Sequence, residues 1–276
     1  MVDLAKRPTL SNAGLGASIE VVAYDEFAKA REGHIAAERA LTIYLDKREI
    51  LTLMTLGSQP ELLVLGWLKN QNLINDISEV ESVHIAWDVE AAAIKTRSGV
   101  ATLDEKLAHR TVTTGCGQGT MFGSLMERLS EINLAKPVIE QAQIYSLLKS
   151  LNAHNDVYRK AGAVHGCALC QGNEILSFVE DVGRHNAVDT IAGFMWLEEI
   201  VGDDKWFYTT GRLTSEMIIK VAQMGIPVLL SRSGVTQMGL ALAQQLGVVL
   251  IARAKGRHFL VYNGVEQITY NAIPNS

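Results

Sequence analysis

From residue 175 to residue 262 the chain alternates short apolar runs with amphipathic ones, and the junctions between them are polar and rich in glycine. No other feature limits the fold so strongly. Residues 175–179 read as a buried strand and 186–201 as a helix with a wide apolar face. Residues 206–210 are a strand, 217–224 a helix stopped by Gly225, and 227–230 a strand. A third helix ends at Leu246 with Gly247 at its C-cap, and strands follow at 248–251 and 259–262. Strands joined through helices need crossover connections. The sheet is therefore parallel or mixed, with helices covering both faces.

The preceding residues are read by the same periods. Residues 17–23 alternate as a strand, and 39–55 as a hairpin around Asp46-Lys47-Arg48. Ser58 and Glu61 have the spacing of a capping box ahead of a helix that reaches about Asn70. Residues 80–96 return to strand-like alternation, and Ser98-Gly99 supplies a turn. A helix is expected over 137–151. The run of small residues within 158–169 suits a central strand, turning at Gly172-Asn173 to pair with 175–181. The expected organisation is a flexible N-terminus (1–16), a smaller β-rich N-terminal portion (17–110) and an α/β domain (111–276).

With 276 residues, 48% of them hydrophobic and 20% charged, the chain can bury one large core or two modest ones. A net charge of −5 with no basic block argues against nucleic acid as a partner. The first 16 residues lack an apolar signal core, and no window is apolar for the roughly 18 residues a membrane span needs, so a cytoplasmic protein without membrane association is expected. Three cysteines cannot all pair within the chain, which fits a reducing compartment.

Chemistry-bearing residues concentrate in two places. Cys116 lies in Thr113-Thr114-Gly115-Cys116-Gly117-Gln118-Gly119-Thr120, where nothing apolar is available to bury the thiol. An accessible thiol surrounded by amides can ionise and act as a nucleophile, although a linker that merely contains a cysteine has the same composition. The second place is the series of strand ends. Arg184, Arg212 and Arg232 each stand beside glycine or hydroxyl residues at a helix start, and Arg253, Lys255 and Arg257 follow the next strand. Guanidinium forks together with helix N-terminal amides hold phosphate or pyrophosphate, whereas any one of these arginines taken singly could be a solvated surface residue. His185 could donate a proton, contact phosphate or cap a helix. Cys167 and Cys170 form a C-x-x-C without a second pair, and in a run of small residues they read as two buried thiols rather than metal ligands.

The string Phe178-Val179-Glu180-Asp181-Val182-Gly183-Arg184-His185-Asn186-Ala187-Val188-Asp189 carries a resemblance. With Gly162 to His165 before it, and Gly211-Arg212, Ser215-Glu216, Gly225-Ile226-Pro227 and Ser231-Arg232-Ser233 after it, the chain from about Glu38 onward closely resembles the formate dehydrogenase accessory protein family, FdhD. The resemblance implies a cytidine-deaminase-like three-layer core, a homodimer and a cytoplasmic location. It implies a sulfurtransferase-type sulfur carrier that takes persulfide sulfur from a cysteine desulfurase. The sulfur would pass to the molybdenum or tungsten bis(molybdopterin guanine dinucleotide) cofactor of formate dehydrogenase, bound as substrate, with no catalytic metal of the carrier's own. Cys116 falls where the family has its first loop cysteine. Ala252, Arg253, Ala254, Lys255, Gly256 and Arg257 fall where the family is taken to bind the cofactor, and Arg184, His185, Arg212 and Arg232 are expected to join them. Many members have Cys-Gly-x-Cys in the loop, and here the second position is Gly119, which leaves one thiolate and removes a resolving partner. A cofactor-binding chaperone without sulfur chemistry is the alternative. A zinc deaminase is excluded, because no histidine is followed two residues later by glutamate and no proline precedes Cys167.

Overall fold

The computed structural model describes residues 7–100, 111–112, 119–120 and 131–274. The chain opens with β1 (Thr9–Leu10) and a hairpin of β2 (Ser18–Tyr24) and β3 (Ala30–Ala36) that carries exposed Ile19, Val22, Tyr24 and Ile35. A second hairpin joins β4 (Arg39–Leu45) to β5 (Arg48–Thr55). Its turn residues Asp46 and Lys47 have φ of 48° and 71°, the left-handed pair that lets a tight turn follow the strand twist. Helix α1 (Pro60–Asn70), β6 (Val80–Ala86) and β7 (Ala91–Thr96) complete this part, giving a sheet in the order β1-β6-β7-β4-β5. Leu41, Ile43 and Leu53 pack there against Leu63, Val64 and Trp67 of α1.

The capping box expected at Ser58 and Glu61 is not formed. The N-cap of α1 is Gln59, and Glu61 is buried, accepting hydrogen bonds from Ser11 Oγ (2.6 Å) and the Ala13 amide (2.7 Å). A box with both reciprocal bonds occurs instead at Asp76 and Glu79, around a single 3₁₀ turn.

Two short strands, β8 (Thr111–Val112) and β9 (Gly119–Thr120), pair antiparallel. Then come β10 (Ile139–Glu140), α2 (Gln141–Ala153), α3 (Asp156–Ala161), β11 (His165–Gln171) and β12 (Glu174–Asp181). The alternating half follows as α4 (Arg184–Leu197), β13 (Lys205–Thr209), α5 (Ser215–Gln223), β14 (Val228–Ser231), α6 (Gln237–Leu246), β15 (Val249–Lys255), β16 (His258–Asn263) and β17 (Ile268–Thr269). The six-stranded sheet has the order β12-β11-β13-β14-β15-β16. β13, β14 and β15 run parallel to one another, while β11 is antiparallel to both of its neighbours and β16 to β15, so the sheet is mixed. Val188, Ile191, Met217 and Leu242 from α4, α5 and α6 cover one face over Leu169, Phe207, Leu229 and Leu250. Ile144, Leu147 and Leu151 of α2 cover the other, over Ala168, Trp206, Leu230 and Ile251. These are three layers, helix on sheet on helix.

The central strand expected from residue 158 begins later, at His165. Residues 156–161 are helical, because Glu180 of β12 accepts the Val157 and Tyr158 amides at 2.8 and 2.9 Å and thereby satisfies the start of α3.

Helix α4 is the shared element. Every one of its residues except Phe194 is buried. One side packs on the large sheet, and the other crosses α1 where two glycines meet. A Cβ placed on Gly66 would lie 1.7 Å from the Asp189 carbonyl oxygen, and one on Gly193 would lie 1.9 Å from that of Leu62. Beyond the crossing, Trp196 and Leu197 enter the N-terminal core.

Candidate functional site: a basic rim and its cavity

In this topology the C-terminal ends of β12, β13, β14 and β15 and the start of β11 share one edge of the sheet. Hydrogen bonds tie the corners together. The Thr210 amide donates to Gly166 O (2.8 Å) and the Gly166 amide to Thr210 Oγ1 (3.0 Å). Ser231 Oγ donates to Gly211 O (2.7 Å), the Arg232 amide to Thr209 O (3.2 Å) and the Arg253 amide to Ser233 O (2.9 Å). The four basic corners read from the sequence therefore form a single rim.

Each candidate residue has a distinct place on that rim. Arg184 is the first residue of α4, largely buried, and its aliphatic stem lies over Gly211; a Cβ there would meet Arg184 Cδ at 2.7 Å. Only glycine leaves room for that crossing. His185 turns inward, with Nε2 3.0 Å from Glu216 Oε2 of α5, and burial holds its imidazole below the usual histidine range. Arg212 is exposed. Arg232 sits over the Tyr158 ring, 5.3 Å from its centroid.

The last segment divides by face. Arg253 adopts φ of 52° within a bulge of β15, so Ala252 packs with α4 to α6 on one face of the sheet and Ala254 with α2 on the other. Both alanine side chains thus serve the core, and Arg253 is exposed to solvent. Lys255, Gly256 and Arg257 turn over a cavity of about 630 Å³, whose other walls include Tyr145, Lys149, Asn152, Tyr208 and Arg232. Arg257 stacks 5.3 Å from the Tyr145 ring centroid, and Tyr145 is itself fixed by a hydrogen bond from Gln141 Nε2 (2.9 Å) and by Phe259. Burial pushes the Tyr208 phenol up to about 12, so it remains a neutral hydroxyl. Aromatic rings, the stacked guanidinium groups of Arg232 and Arg257 and the two lysines Lys149 and Lys255 in one recess suit a planar ligand that bears phosphate.

Sequence reasoning passed over His165 as a site residue. It begins β11 on the same rim, half-buried. Burial depresses its pKa first, and Arg184, Arg212, His185 and Arg232 depress it further. Its position between Gly162 and Gly166, at the start of a strand, is the signal the sequence offers.

Other polar features of the segment prove to be scaffolding. Asp181 is buried and accepts from Thr55 Oγ1 (2.6 Å), Leu56 N (3.2 Å), Asn186 Nδ2 (2.8 Å) and Gly183 N (3.1 Å), fastening β5 to the corner. Cys167 and Cys170 point to opposite faces of the sheet, and burial pushes both thiols up to about 12. Neither can chelate with the other, and neither is a ready nucleophile. Among the described residues no cluster of histidine, cysteine and carboxylate side chains is gathered to hold a metal, and no helix is long and apolar enough to cross a membrane. Cys116 lies outside the described residues.

A family model described as the FdhD/NarQ family matches residues 36–269, which takes in the whole rim and the cavity. The chain belongs to this family. Among its relatives, a sulfur carrier protein FdhD of Listeria innocua is 28% identical over 241 residues, covering 86% of this chain and 92% of its own. One of Wolinella succinogenes is 26% identical over 255 residues, covering 92% and 89%. A crystal structure described as that of a formate dehydrogenase accessory protein from Desulfotalea psychrophila superposes with a TM-score of 0.72 at 27% identity, covering 92% of this chain and all of the other. The mixed α/β architecture described above is thus an FdhD/NarQ-family architecture, and its rim lies within the matched span.

Proposed function

We propose that this protein is a sulfur carrier in the maturation of formate dehydrogenase. The observation that carries the reading is the open cavity lined by Lys255, Gly256 and Arg257, with Arg232 in its wall and two tyrosines beside them. It offers what a pterin guanine dinucleotide requires, a surface for a planar base beside cations for its phosphates. In this reading Cys116 is the carrier. Its thiolate attacks the outer sulfur of a persulfide on a cysteine desulfurase; the new S–S bond forms as the donor's S–S bond breaks, and the donor leaves as a thiolate. The outer sulfur would then pass to the molybdenum or tungsten bis(molybdopterin guanine dinucleotide) cofactor held as substrate, the S–S bond breaking, Cys116 leaving as its thiolate, and the reduced metal of that substrate supplying the two electrons that take the sulfur to sulfide. With Gly119 in place of a second loop cysteine, and with Cys167 and Cys170 buried, the carrier works with one thiol. The reading further includes a cytidine-deaminase-like three-layer core, a homodimer and a cytoplasmic setting.

Intact-mass measurement after incubation with a cysteine desulfurase and cysteine tests it. Wild type is expected to gain one sulfur, about 32 Da, and Cys116→Ala none. Equal gain in both, or none in either, overturns the carrier role and leaves a chaperone that binds the cofactor without sulfur chemistry.

A further inference from the structure

We propose that the segment 268–272 sets the cavity wall from outside it, and that Gln141 is the positioning residue through which this segment fixes Tyr145. The inference rests on the reading that the cavity is a docking place. Helix α2 supplies Tyr145, Lys149 and Asn152 to that cavity, so the place where α2 begins decides where the wall stands. The helix does not secure its own start. Its N-cap, Glu140, makes no side-chain bond to the first turn. The acceptor comes from far along the chain: Asn271 Oδ1 takes the Ala142 amide at 3.0 Å.

Strand β17 brings the segment to this place. It pairs in parallel with β10, Ile139 opposite Ile268, and Ile268 is buried with Ile144 and Leu147 of α2 in one apolar layer. Past β17 the Asn271 amide donates to Thr269 O (3.1 Å), a turn that brings residues 271 and 272 against the first turn of α2.

Gln141 joins the segment to the cavity. It is buried, and both ends of its carboxamide are engaged. Oε1 accepts the Ala272 amide (3.0 Å), 131 residues away in sequence, and Nε2 donates to the Tyr145 hydroxyl (2.9 Å) one turn further along α2. The carboxamide is planar, so holding its oxygen fixes where its nitrogen points. A buried amide that loses a partner is costly, so each bond supports the other. Phe259 of β16 meets the Tyr145 ring with 5.7 Å between centroids, and Arg257 stands 5.3 Å from the ring centroid. Hydroxyl and ring are thus both held. An aromatic side chain fixed before a ligand arrives has less freedom to lose on stacking, so the segment acts on affinity through the pose of Tyr145.

NMR of the ligand-free full chain reads the coupling, because the Tyr145 ring current shifts the Arg257 side-chain signals. Gln141→Met removes both bonds at nearly constant volume. Ala272→Pro removes only the donating amide, at a partly exposed residue outside every helix and strand. Both are expected to move the Arg257 signals toward unshifted values and to weaken guanosine diphosphate, used as the probe in calorimetry, by about three- to tenfold. Gln141→Glu keeps one oxygen for the Ala272 amide and another for the Tyr145 hydroxyl, which then donates, and it is expected to keep the wild-type signals. Wild-type signals in Gln141→Met or in Ala272→Pro overturn the positioning role. A displacement in Gln141→Glu as large as in Gln141→Met also overturns it, as does unchanged affinity in both weakening variants. A wild type that binds no guanosine diphosphate removes the docking reading instead, and the Arg257 signals alone then decide the coupling.

Discussion

Asp189 has no exposed surface, and its carboxylate is shared between Asn70 Nδ2 (2.6 Å) and Lys220 Nζ (2.7 and 2.8 Å), itself buried. Two desolvated charges contribute little net stability as a pair, yet removing one strands the other. Lys220→Met is expected to cost about 3 to 5 kcal/mol in urea unfolding, and adding Asp189→Asn to recover more than half of that. A single variant within about 0.5 kcal/mol of wild type would show that the pair is hydrated. The same principle accounts for the two carboxylates that end β12. Glu180 satisfies the first amides of α3, and Asp181 gathers four donors, two from the end of β5 and two from its own corner. The partners in α3 and at the end of β5 lie far along the chain, and nothing local reveals them. The arginines were legible because the topological rule that places parallel strand ends on one edge depends only on the order of elements.

The crossing of α1 and α4 is set by what its glycines lack. With Asp189 O and Leu62 O where the two Cβ atoms would stand, any side chain forces the helices apart. Gly66→Ala and Gly193→Ala should each lower stability by about 2 kcal/mol or more, even though alanine favours helix by about 1 kcal/mol over glycine. A rise in the thermal midpoint of either variant would mean that the helices do not touch at these points. Neither glycine stands out in the sequence, where each is a breaker inside an apolar run. Helix α4 also starts two residues before the apolar periodicity of 186–201 does. Arg184 and His185 occupy its first turn, because a helix buried between two cores can carry polar side chains wherever a partner waits. The strand at Ala30–Ala36 is hidden in the sequence for a related reason: paired with β2 and largely exposed, it carries too little apolar patterning to declare itself.

The whole molecule turns on α4, since the N-terminal core, the large sheet and the rim all bear on it. Loss of its packing removes all three together, so unfolding followed by far-ultraviolet dichroism and by tryptophan fluorescence should coincide in one transition. Acid acts on the same element. His185 is held below the usual histidine range by burial and His165 by burial and the rim arginines, so at mildly acidic pH the unfolded chain binds more protons than the folded one. Stability contributed by neutral histidines is fully present above the unfolded value near 6.5 and falls as the pH drops through that value and below it. His185 accounts for up to about 1.4 kcal/mol for each pH unit in that window. His165 adds in the same direction, reduced by solvent screening. Asp181 opposes them, because burial raises its pKa and its protonation favours the folded state as the pH drops. The thermal midpoint should therefore fall between pH 7.5 and pH 5.5, in one transition at both ends of the range. His185→Gln should make that fall shallower. A midpoint independent of pH over this range would place the rim histidines in solvent, and two separated transitions would mean that α4 does not bind the two cores into one cooperative unit.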